Sequence, residues 1–104
     1  MENSSILLTK CLNVDTIRQI ASPSNFKYGQ AIFDQGGIEL VGINKYVVQG
    51  WVGGISYEGT KVGRRKTTIA STPEGLEWSC SCNSKDRPVF CKHCVALALA
   101  VHSL

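Results

Sequence analysis

Cys80-Ser81-Cys82-Asn83-Ser84-Lys85-Asp86-Arg87-Pro88-Val89-Phe90-Cys91-Lys92-His93 carries chemistry more distinct than any other part of this chain. The pattern is C-x-C, eight residues, then C-x-H: soft donors of the kind zinc prefers, arriving as two close pairs. Three thiolates and one imidazole close a tetrahedral shell and leave no position for water or substrate, which is the signature of a structural site. Cys80 and Cys82 share one side of an extended strand, so a strand end can offer both sulfurs. The connection then turns back, with Pro88 as a stiff corner. Cys91 and His93 precede or open an apolar run, Cys94–Val101, whose helix N-terminus stabilises thiolates. Cys94 adds an alternative, because Cys91-x-x-Cys94 is an equally good metal pair and a four-cysteine shell would leave His93 outside.

Other uses of these cysteines fit less well. Disulfide pairing meets an odd count of five, with Cys11 remote from the rest, and no secretion signal is legible. A redox pair, or Cys91 activated by His93, lacks a supporting acid or oxyanion-hole motif. A thiol redox enzyme is therefore the remote alternative, and the chain is expected not to be an enzyme.

Trp78-Ser-Cys-Ser-Cys82 followed by Cys91-Lys-His93 resembles the SWIM zinc finger, C-x-C, a variable spacer, then C-x-H, with Val95–Leu99 fitting its trailing apolar helix. Asn25-Phe-Lys-Tyr-Gly29 also resembles the Phe-x-x-Gly element that precedes the finger in many bacterial members. The resemblance implies Zn2+ held by Cys80, Cys82, Cys91 and His93, with Cys94 a buried helix residue. It implies a role in binding DNA or protein, since such domains occur in helicase-like ATPases, transposases and recombination-associated proteins. The chain holds no G-x-x-x-x-G-K-[ST] phosphate loop of its own.

Working outward, the 104 residues read as one domain, 1–104, divided into a leader (1–12), helices and sheet (13–79) and the metal motif with its helix (80–104). Asn13 is the expected cap of a helix Val14–Ala21, and Ser22-Pro23 the cap and first residue of another ending near Phe33. Phe26, Ile32 and Phe33 should face inward with Tyr28 at the flank, and Gly29 suggests close backbone packing. Strands are expected at Ile38–Ile43, Tyr46–Val52, Arg65–Ser71 and Leu76–Cys82, with a Gly53–Gly63 excursion, a tight Asn44-Lys45 turn and a Thr72–Gly75 turn. A helix over Lys92–Ser103 ends the chain. The expected architecture is α+β: two short N-terminal helices, an antiparallel sheet of about four strands, and a C-terminal helix pinned by zinc. That helix is apolar nearly all round and needs cover from the sheet, the N-terminal helices, a partner, or further chain.

Net charge is +3, but residues 1–59 balance at −1 and residues 60–104 at +4. Within the basic half, Lys61, Arg64, Arg65 and Lys66 are the candidate phosphate contacts, with hydroxyls from Thr67 and Thr68. The bland reading is a solvated hairpin edge whose cations blunt strand pairing. Lys85, Arg87 and Lys92 surround the metal motif, where cations offset its negative charge. Trp51, Tyr46 and Tyr57 offer rings for stacking or for cross-strand packing, with Tyr57 the one expected to be exposed, and Trp78 reads as an apolar wall of the metal site. No run suits a signal peptide or membrane span, and no small-molecule substrate is evident, so a cytoplasmic recognition module is expected. Its expected partner is nucleic acid (DNA), and the resemblance implies a place as part of or alongside a helicase-like ATPase. The alternative is a module docking on a helicase or recombinase through the C-terminal helix.

Overall fold

In the computed structural model, residues 7–55, 61–82 and 89–104 are described, apart from the side chains at 54–55 and 61–62. The fold is α+β. Helices α1 (Leu8–Cys11), α2 (Val14–Ile20) and α3 (Pro23–Asp34) precede strands β1 (Ile38–Ile43), β2 (Val47–Ile55), β3 (Lys61–Thr72) and β4 (Gly75–Cys80), and α4 (Lys92–His102) follows. The strands form one antiparallel meander in the order β1-β2-β3-β4. No described helix is long and apolar enough to cross a membrane.

Local chemistry sets the boundaries. Thr16 N–H donates to the Asn13 side chain at 2.9 Å, and Asn25 N–H to Ser22 Oγ at 3.2 Å, so both expected caps are in place ahead of α2 and α3. Asn44 Oδ1 accepts from the N–H groups of Tyr46 and Val47 and closes the β1–β2 turn. At the β3–β4 turn Gly75 has φ 122°, where glycine is the residue without a Cβ penalty. β2 and β3 both run further than expected, into the glycine-rich stretch, where a register shift between Val52 and Gly54 absorbs an irregularity. β4 stops at Cys80, so Cys82 sits beyond the strand.

Part of the expected leader is a turn of helix, α1, with Leu8 and Leu12 fully buried; Leu8 N–H donates to Lys45 O at 2.9 Å and ties this turn to the sheet. Among the described residues, three helices therefore precede the sheet where two were expected.

The core is built around α4, which touches every other helix and strand. Val48, Val52, Thr67, Ile69 and Cys80 face it from the sheet, while Leu8, Leu12, Ile17 and Ala21 cover it from the helical side. His93 through Leu99 and Val101 are all buried. The helix that needed cover all round thus finds it within the chain, and its apolar surface is spent on the core rather than free for docking. α3 approaches α4 at Gly29, where an added Cβ would lie 2.7 Å from Lys92 O and overlap Val95. The sequence-based expectation of close packing at this glycine holds for that reason.

Candidate metal centre

Cys80, Cys82, Cys91 and His93 come together as a group that can hold a metal ion, their donor atoms all within 4.8 Å of one another. Each pair reaches the site by a different device. Cys80 ends β4 on the α4-facing side, opposite Thr67 in the ladder. The ladder persists one residue further: Ser81 N–H donates to Lys66 O at 3.0 Å and Lys66 N–H to Ser81 Oγ at 3.2 Å. That two-way clamp delivers Cys82. Cys91 is the N-cap of α4 and His93 lies in its first turn. Cys82 Sγ is 3.3 Å from His93 Nδ1 and 3.5 Å from Cys91 Sγ, and Cys91 Sγ is 3.7 Å from His93 Nδ1.

Cys94 Sγ lies 3.8 Å from Cys91 Sγ, yet it stands outside the four-donor group and is fully buried in the core face of α4. None of the five cysteines is in a disulfide. Hydrogen bonding with Cys80, then with Cys94, holds the Cys91 thiol far below its ordinary pKa, while the same bonds with Cys91, together with burial, push Cys80 and Cys94 up.

Two supporting residues escaped the sequence. Thr67, fully buried, places Oγ1 3.4 Å from Cys80 Sγ and donates to Arg65 O at 3.2 Å. It is therefore closed to any phosphate, a correction to its expected role. Only its place opposite Cys80 could have signalled this, and that needs the register. Phe90, just before Cys91, is buried and meets Trp78 edge-to-face with ring centroids 5.0 Å apart. Trp78 and Phe90 together are the apolar wall.

The basic cluster is divided by strand pleating. Thr67, Ile69 and Ser71 are buried towards α4, so Arg65 shares their side, whereas Arg64, Lys66 and Thr68 belong to the opposite face. There Arg64 Nη2 lies 3.2 Å from Glu39 Oε1, with the guanidinium 5.8 Å from the centre of the Trp51 ring, and Thr68 Oγ1 accepts from Gln49 Nε2 at 3.1 Å. Trp51, 39% exposed, packs across strands on this outer face rather than in the core. Arg64, Arg65 and Lys66 therefore form no single patch. The Lys61 side chain, and Tyr57, Lys85, Arg87 and Pro88, lie outside the described residues.

Arg65 instead lines an open groove of about 500 Å³ beside the metal group, with Tyr28, Cys82, Cys91, Lys92 and His93. A hollow of about 310 Å³ continues it along α3, sharing Tyr28, Lys92 and His93. In comparisons with known proteins, no family model, no curated protein and no solved structure matches the chain.

Proposed function

We propose that this chain is a zinc-stabilised recognition module whose partner is nucleic acid, without turnover at the metal. One observation carries the metal assignment: the Cys82 and Cys91 sulfurs and His93 Nδ1 lie 3.3–3.7 Å apart, and Cys80 Sγ joins them in a group whose donors are all within 4.8 Å of one another. Zn–S bonds of about 2.3 Å and Zn–N bonds of about 2.0–2.1 Å at tetrahedral angles require donor separations of roughly 3.5–3.8 Å. A completed shell of this kind ties the end of β4 to the start of α4, a structural rather than a catalytic task. The order C-x-C then C-x-H, with the apolar α4 behind it, supports a SWIM-type finger, and with it a place in or beside a helicase-like ATPase. Arg65 and Lys92, the cations beside the metal group, support a polyanionic partner.

Docking on a helicase or recombinase is the second reading. The observation that favours it is edge strand β1, where Leu40, Val41 and Ile43 are exposed, rather than the buried α4.

Metal analysis of purified protein tests the first step. We expect one zinc per chain, retained in Cys94→Ser and lost in His93→Ala; the reverse result overturns the ligand set. Oligonucleotide binding that falls steeply with added salt supports the partner, and salt-insensitive or absent binding transfers the reading to protein docking.

A further inference from the structure

We infer that the groove between α3, the start of α4 and β3 binds single-stranded nucleic acid, with Tyr28 stacking on an unpaired base and Arg65 and Lys92 holding its phosphates. This rests on the recognition reading above and commits it to one face of the molecule. Tyr28 is 57% exposed although its neighbour Gly29 is buried against α4. The close helix contact therefore sets the ring at the groove without using it for packing. A protruding ring of this kind gains little from a duplex, whose base faces are already covered, and much from an unstacked base.

The electrostatics agree. Among its described lining residues the groove has two cations, Arg65 and Lys92, and no acid. Three thiolates and a neutral imidazole leave a divalent ion at net −1, which one cation offsets. With both cations counted, the groove and its metal group keep a net charge of +1, which attracts the phosphates that Arg65 and Lys92 would hold. Ser24 and Asn25, at the rim, supply polar side chains for the backbone. On the outer sheet face, by contrast, Arg64 is engaged with Glu39.

The decisive comparison uses zinc-loaded protein and fluorescence anisotropy with labelled oligothymidylate, oligouridylate and a DNA duplex. Either single strand should bind more tightly than the duplex, and the two arms separate a DNA from an RNA ligand. Tyr28→Ala should weaken single-strand binding by roughly 5- to 150-fold, while Tyr28→Phe, which keeps the ring, retains it. Arg65→Gln should flatten the dependence of log K on log salt by about 0.7, the share of one phosphate contact on a single strand. Arg64→Ala, on the opposite face, should leave binding unchanged. Zinc content is measured for each variant, and Lys92→Gln replaces Arg65→Gln if the latter loses metal. Should binding respond to Arg64→Ala and ignore Tyr28→Ala, the groove is wrong although nucleic-acid recognition survives. Binding to no oligonucleotide at all overturns both, and preferential binding of the duplex overturns the groove alone.

Discussion

Gly29→Ala sets two physical effects of opposite sign against each other. In an exposed helix interior, alanine is more favourable than glycine by about 1 kcal/mol, so local propensity alone predicts stabilisation. The structure predicts the reverse. An added Cβ would meet Val95 at its branched Cβ and lie 2.7 Å from Lys92 O, well inside ordinary contact. Neither neighbour is the free end of a flexible chain: one is a buried β-branched residue and the other is backbone between two metal ligands. α3 must therefore move off α4, at an overpacking cost of about 1–3 kcal/mol, or more where backbone shifts. Since α4 is the centre of the core, the cost should exceed the propensity gain and leave a net loss of up to about 2 kcal/mol. For a chain of this size that lowers Tm by up to roughly 16 °C. Thermal unfolding of the zinc-loaded protein measures it, with Gln30→Ala on the exposed side of α3 as the control, expected within about 0.5 kcal/mol of wild type. An unchanged or raised Tm for Gly29→Ala would refute the close approach of the two helices.

Thr67→Val keeps the shape of a buried side chain but removes the hydroxyl beside Cys80, and should weaken zinc binding by about 10- to 100-fold in a chelator competition, with the fold retained. Thiol labelling should separate the cysteines: with metal bound, Cys11 alone reacts, and chelation exposes Cys82 first because its side is open. Burial pushes the Cys11 thiol above its ordinary pKa, a hydrogen bond with Ser71 offsetting part of this. Less thiolate is then present at pH 8, so its alkylation should run slower than that of a free cysteine and rise with pH; mass spectrometry follows both. Arg64→Ala should cost less than about 1 kcal/mol in thermal unfolding, because the pair with Glu39 is partly exposed and screened by solvent.

The features legible in the sequence were those fixed by short-range chemistry. The caps at Asn13 and Ser22, the turn at Thr72–Gly75 and the four donors at 80–93 each depend on neighbours a few residues apart. So does the apolar circumference of α4. What escaped depends on contacts across the chain. α1 has only a few residues, and it exists because Leu8 and Leu12 reach the core and Leu8 N–H finds Lys45 O. Thr67 looked like a phosphate ligand because it follows three basic residues; its burial beside Cys80 is a matter of register between β3 and β4. The choice between His93 and Cys94 turned on helix geometry, since both lie near Cys91 and only one joins the mutual group.

The division of Arg64 from Arg65 has the same origin and the larger functional consequence. In sequence the two are one basic motif. In an extended strand they cannot be, because the pleat sends successive side chains to opposite faces. Arg64 is left on the outer sheet beside Trp51 and Glu39, where its charge is answered within the protein. Arg65 faces the helices at the point where β3 runs past Thr67 and α4 begins. A metal in the Cys80, Cys82, Cys91 and His93 group would make that position matter. By holding Cys82 against Cys91 and His93, it would fix the distance between the sheet end that carries Arg65 and the helix start that carries Lys92. A cation pair spaced by a coordination shell keeps its geometry without a large surrounding core, and a chain of 104 residues has little core to spare. In this chain, zinc would organise a binding surface by organising the backbone on either side of it.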